Sequence, residues 1–248
     1  MSLFIFTKKI ILISLVVFFY YKIVKDIIYY FAPSIADRIN CLARYPSIKA
    51  AGIIEIVLIA SSHLIFFITL SYFLNIFSEQ LGLNHFHYIE VIYGILLGIG
   101  MMAITTMLCR FIMVFSKLFF ANKIPKEMKS WMVLARGGWM RHHLHNFQIL
   151  PFFAALLVLF VQIGSEEIIF RGILINYFLS NGILVAIILS TLFFVLMQAF
   201  QTPNWIVAMF PMVGSLVSGV FFSIVYLKTK ALISLIIAHV VFFIIAAL

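Results

Sequence analysis

Charge is what this sequence has least of. Only 10% of its 248 residues are Asp, Glu, Lys or Arg, against roughly 25% in soluble domains. That deficit excludes a water-soluble domain of this length, which needs far more polar surface. Acid is scarcer than base, 8 residues against 17. Cysteine is nearly absent: Cys41 and Cys109 lie far apart, match no metal spacing and say little about redox compartment. No His-Glu-x-x-His, Walker loop or dinucleotide fingerprint occurs, which removes the commonest metal-hydrolase and nucleotide-binding readings. No Pro/Gly/Ser linker or internal repeat divides the chain, so one membrane domain is expected. Lys8 and Lys9 precede an apolar run, but no small-residue cleavage site follows. An uncleaved first span is the expectation.

What is present is apolar length. Hydrophobic residues make up 65% of the chain and aromatics 17%, with 28 Phe, and the mean hydropathy is +1.19. Apolar segments run over about 10–32, 51–76, 88–119, 148–178, 183–200, 205–227 and 231–248, most of them near the ~20 residues a bilayer crossing needs. The first is the weakest, because Lys22, Lys25 and Asp26 interrupt it, and a short span running into an interfacial helix is expected there. Backbone amides in hydrocarbon must be satisfied by helices or a closed barrel. Barrel strands alternate apolar and polar residues, whereas these runs are continuous. The expected fold is therefore an all-α polytopic membrane bundle of seven or eight spans.

The net charge of +9 then reads as Lys and Arg flanking spans and meeting anionic lipid, with no nucleic-acid partner. The basic connection 120–147, with Lys123, Lys126, Lys129, Arg136 and Arg141, is expected on the cytoplasmic side, and 77–87, without Lys or Arg, outside. Region 33–50, with Arg38, Arg44 and Lys49, also falls inside; Lys228 and Lys230 fall outside unless one segment is re-entrant.

Ionisable groups within a span are costly, and the default inference is function. The strongest case is Ser165-Glu166-Glu167-Ile168-Ile169-Phe170-Arg171, flanked by apolar runs. Glu167 and Arg171 are four apart and can pair on one helix face, while Glu166 is turned by about 100°. The expected division of labour has Glu167–Arg171 holding geometry and Glu166 left as a carboxylate able to take a proton from water. The rival reading makes all three a buried ion pair that fixes packing. Gln198 and His239 lie alone in later apolar spans. Each by itself reads as an interhelical hydrogen bond, and together with Glu166 they could donate to a developing oxyanion. Glu55 and His63 share a helix face at eight residues' separation and, with Glu90 and Arg110, read as helix packing or water contact near the interface. His142-His143-x-His145 reads as part of a solvated surface loop.

Glu166-Glu167-x-x-x-Arg171-Gly172, followed by a Phe-x-x-x-polar helix ending at Gln198 and a His239 in the last span, resembles the CPBP family of CAAX prenyl endopeptidases and bacteriocin-processing (Abi) intramembrane proteases. The resemblance covers about residues 148–248, a catalytic-type helical core; residues 1–147 match it only as hydrophobic spans and a basic loop. It implies hydrolysis of a peptide or membrane-associated protein, with Glu166 activating water, Glu167 and Arg171 supporting it, and Gln198 and His239 as donors. It also implies residence in a membrane, expected to be the bacterial inner membrane. Two positions depart from the family pattern: Gln198 stands where members have His, and Phe243 where they have Asn. Two readings therefore stay open, a divergent protease or an inactive relative that binds a peptide or a partner membrane protein. Two carboxylates and one His make a poor zinc site, since zinc prefers three protein ligands including His or Cys. A metal-free mechanism fits better, with zinc kept as the alternative. A proton path through Glu55, Glu90, Glu166 and Glu167 is a third reading, weakened by the lack of paired Gly/Pro helix breaks.

Overall fold

In a computed structural model, residues 3–83, 87–120, 130, 141–200, 202 and 205–247 are described. Among them the regular elements are all helical, with no strand. Eight helices carry the architecture: α1 (Leu3–Ala36), α2 (Ser47–Leu74), α3 (Tyr88–Phe120), α4 (Arg141–Ile149), α5 (Phe152–Leu179), α6 (Ile183–Phe200), α7 (Trp205–Thr229) and α8 (Leu232–Ala247). Six of them (α1, α2, α3, α5, α6 and α7) are long and apolar enough to cross a membrane. The sixteen-residue α8 is about 24 Å long at 1.5 Å per residue, shorter than the ~30 Å hydrocarbon layer. The chain is an integral, multi-pass, all-α membrane protein, and each expected apolar segment corresponds to one of α1–α3 or α5–α8.

The boundaries follow local chemistry. Pro46 and Pro151 stand immediately before α2 and α5 in extended geometry, where a proline's missing N–H is not needed by the helix. Asn75 ends α2 in the left-handed region (φ 55°) and Gly182 (φ 111°) turns α5 into α6. Lys123, Lys126, Lys129 and Arg136, which carry the expected cytoplasmic charge, lie outside the described residues, as does Gln201.

Phe153, Leu118 and Leu184 point outward, as a lipid-facing surface requires, while the polar residues turn inward. Helices in lipid gain little from burying apolar area against one another, so close contact between small residues matters more. The Gly94-x-x-x-Gly98 face of α3 lies directly on α8: a Cβ built at Gly94 would stand 2.7 Å from the Ser234 carbonyl oxygen, and one at Gly98 2.5 Å from that of Ala238. Gly219 of α7 meets Thr191 of α6 in the same way. Buried residues from both parts of the chain, including Ile13, Tyr21, Met101, Phe170, Phe194 and Phe243, pack into one cluster.

One expectation is corrected here. α1 does not break into an interfacial helix at Lys22, Lys25 and Asp26. It continues to Ala36 through a π-helical stretch, Phe19–Val24. The wider π turn shifts the inward face, so that Tyr20, Tyr21 and Lys25 are buried together. Lys22 and Asp26 pair at 2.9 Å on the exposed side.

Candidate functional site

The site is organised on α5. Its second half contains a π-helical stretch, Ile168–Leu174, that begins directly after Glu166-Glu167 and includes Arg171. Such widened turns occur often at functional sites. Here a neighbour secures the stretch, since Ser190 of α6 donates its hydroxyl to the Phe170 carbonyl oxygen at 2.5 Å. Tyr21, in the π-helical stretch of α1, packs on Phe170 with ring centroids 5.8 Å apart.

Glu166 and Glu167 are both buried and look in different directions. Glu167 Oε1 accepts from Arg171 Nη1 at 3.3 Å and from His239 Nδ1 at 2.6 Å. Arg171 has no exposure, and its guanidinium carbon lies 4.1 Å from the Phe194 ring centroid and 5.6 Å from that of Phe222. Those aromatic faces add cation–π attraction to the ion pair. His239 is held edge-on between the same two rings, at 5.8 Å and 6.4 Å. Three of the residues singled out in the sequence, Glu167, Arg171 and His239, thus meet at one carboxylate oxygen.

Glu166 faces α2 instead. Its Oε1 lies 3.8 Å from His63 Nε2, with both side chains almost fully buried. His63 is anchored through Nδ1, 3.0 Å from the Ile59 carbonyl oxygen, and is flanked by the rings of Tyr20 and Tyr21. Tyr20 in turn shares a 3.0 Å hydrogen bond with Ser62. Lys25, only 2% exposed, sets its ammonium 4.9 Å from the Tyr21 ring centroid and interacts electrostatically with Glu166. Gln198 is buried on α6, one turn beyond Phe194. Among the described residues it makes no hydrogen bond to either glutamate.

The expectation of a solvated His142-His143-x-His145 loop is corrected. His143 is 3% exposed, on a helix rather than a loop, and packs edge-on against Phe243 at 4.9 Å. Burial pushes its pKa down to about 3, against the opposing pull of Glu166, and the ring is therefore neutral. The side chain of His142 lies outside the described residues. His63, expected in helix packing or in water contact near the interface, is fully buried against Tyr20 and Tyr21 of α1.

Sequence reasoning therefore missed three contributors: Lys25, His63 and His143. Each left some trace, as a charge interrupting an apolar run, a polar face on a span, and a His-rich tract. None of those traces names a partner on another helix. In charge terms the cluster balances, with Glu166 and Glu167 against Lys25 and Arg171. That balance is what a buried set of ions requires.

Chemically, the arrangement holds one carboxylate fixed by two donors and a second that has no such fixed donor and faces an imidazole. A carboxylate of the second kind can accept a proton from water. Residues 148–245 match a family model described as type II CAAX prenyl endopeptidase, Rce1-like. The match includes Glu166, Glu167, Arg171, Gln198 and His239 and excludes Lys25, His63 and His143. No curated protein and no solved structure matches the chain.

Proposed function

We propose that this chain, whose residues 148–245 match the model of type II CAAX prenyl endopeptidases, is an intramembrane endopeptidase of that (CPBP) type that uses Glu166 as its general base. The observation that carries this reading is the occupation of the two glutamates. Arg171 and His239 both bind Glu167 Oε1, which leaves Glu166 for chemistry rather than for the ion pair.

In the proposed reaction Glu166 takes one proton from water as the water oxygen bonds to the scissile carbonyl carbon. The carbonyl electron pair moves onto oxygen, and the tetrahedral oxyanion needs donors. Gln198 supplies an amide N–H. His239, its ring fixed by the Nδ1 hydrogen bond to Glu167, serves as the second donor. Collapse breaks the C–N bond, and the proton on Glu166 passes to the leaving nitrogen.

A zinc ion does not fit these donors. Glu167 is already engaged, and among the described residues no group of three or more His, Cys, Asp or Glu is arranged to hold a metal, whereas zinc prefers three protein ligands. No step is therefore routed through a metal. The substrate class is a peptide or membrane-bound protein, reached within the bilayer of the bacterial inner membrane, with residues 148–248 as the catalytic-type core and 1–147 as its supporting helices.

The test is direct. The protein in lipid nanodiscs is incubated with a panel of internally quenched peptides, prenylated and not, in 18O-water. Cleavage that places 18O in the new carboxyl group and is abolished by Glu166→Gln, with the variant still folded, supports hydrolysis by Glu166. Cleavage undiminished in folded Glu166→Gln would sink it.

A second reading, an inactive relative that binds a peptide or a partner membrane protein, is favoured by Gln198 and Phe243 at the two departing positions. It predicts that folded protein retains peptides of the panel without cutting them.

A further inference from the structure

We infer that His63, on a helix outside the matched segment, is a catalytic residue that holds the attacking water together with Glu166. The inference rests on the peptidase reading above and adds a residue to that same site.

The orientation of the ring decides its chemistry. His63 is fully buried and flanked by Tyr20 and Tyr21. Nδ1 lies 3.0 Å from the Ile59 carbonyl oxygen. A carbonyl oxygen only accepts, so Nδ1 carries the hydrogen and, in the neutral ring, Nε2 presents a lone pair. That nitrogen has no hydrogen-bond partner among the described residues, although a buried polar atom left unpaired is costly. Glu166 Oε1 lies 3.8 Å from it. Two acceptors cannot satisfy each other. One molecule donating two hydrogens satisfies both, and water is the smallest that does.

The separation of the two acceptors suits one water. Two hydrogen bonds of about 2.8 Å spanning 3.8 Å subtend about 85° at the water oxygen, near the roughly 105° between its own O–H bonds. Held this way, the water turns a lone pair outward, toward a carbonyl carbon. In the step itself one O–H bond breaks and its proton goes to Glu166, the new C–O bond forms, and the second hydrogen stays on the attacking oxygen, hydrogen-bonded to Nε2 throughout. His63 remains neutral, and the proton on Glu166 later serves the leaving nitrogen. Lys25, the other buried ion near this pair, balances the charge of Glu166 as Arg171 balances that of Glu167.

Two substitutions separate this role from packing. An Asn at 63 keeps a donor near Nδ1 for Ile59 and loses the atom facing Glu166, whereas a Gln returns a polar atom near Nε2. In nanodiscs, with an internally quenched farnesylated peptide, His63→Asn is expected to lower kcat about 100-fold with KM changed less than twofold. His63→Gln is expected to recover at least tenfold of that loss. His63→Asn within threefold of wild-type kcat, beside an inactive Glu166→Gln, overturns the role of His63 and leaves the peptidase reading standing. Full activity in Glu166→Gln overturns both. A second measurement needs no change at position 63. In 15N-histidine-labelled protein, Glu166→Gln is expected to move the Nε2 resonance of His63, and an unmoved resonance overturns the shared water even where the position-63 variants fail to fold.

Discussion

His239 Nδ1 donates to Glu167 Oε1 at 2.6 Å, onto the same oxygen that Arg171 reaches at 3.3 Å from its own helix. A residue of the last helix is thereby tied to an ion pair that lies wholly within α5. The tie fixes the ring, leaves its Nε2 directed away from Glu167, and makes α8 part of the site.

Position 239 separates that tie from the chemistry. An Asn there keeps a donor near the place of Nδ1, so His239→Asn should hold stability within about 1 kcal/mol of wild type, while His239→Leu should lose about 2 kcal/mol as one charge-assisted hydrogen bond goes. Both variants lack Nε2, and both should lose peptide cleavage per folded molecule. Thermal unfolding in detergent, followed by size exclusion, checks the first claim. Turnover by His239→Asn at the wild-type rate would remove His239 from the reaction.

Breaking the ion pair from one side should cost more than removing it. Glu167→Gln leaves Arg171 as a buried charge without its partner, a loss of about 3–5 kcal/mol. The double change Glu167→Gln with Arg171→Met removes both charges and should be more stable than Glu167→Gln alone. The same heating assay decides this, and a single variant as stable as wild type would contradict the pairing.

The glycine face of α3 makes a third test. A Cβ at Gly98 would stand 2.5 Å from the Ala238 carbonyl oxygen, and nothing lies within 4 Å of one at Gly100. Gly98→Val should push α8 outward, cost at least 2 kcal/mol by overpacking and displace His239, the residue after Ala238. Gly100→Ala should be silent in both stability and cleavage.

The two positive-φ glycines among the described residues should differ in the same manner. At Gly82 (φ 71°) an added Cβ would clash with the Lys230 carbonyl oxygen, whereas at Gly182 (φ 111°) it would meet open space. Gly182→Ala should therefore cost only the backbone strain, about 1–2 kcal/mol, and Gly82→Ala clearly more. Equal midpoints for the two variants would show that the α7–α8 turn yields to the clash.

How far the sequence reaches is plain from particular residues. The membrane class follows from composition alone, because a chain with so little charge has no alternative way to meet water. The Glu167–Arg171 pair is also legible, since a spacing of four on a helix places two side chains on one face whatever surrounds them. So is the different outlook of Glu166, turned by about 100° by the same helical step. The first helix is where this reasoning fails. Lys25 reads as a break because a charge in an apolar run is costly, and a π turn together with a carboxylate far along the chain offsets that cost by a buried electrostatic interaction.

What the sequence by itself determined is therefore everything set by composition and by the period of one helix: the all-α membrane bundle, its seven apolar segments, and the acid–base pair within α5. Only the tertiary structure decided which carboxylate His239 binds, that His63 faces Glu166, and that Lys25 and His143 belong to the same cluster. Those contacts join helices far apart in the chain, and their geometry depends on crossing and rotation set by glycine contacts and widened turns, which no local spacing encodes.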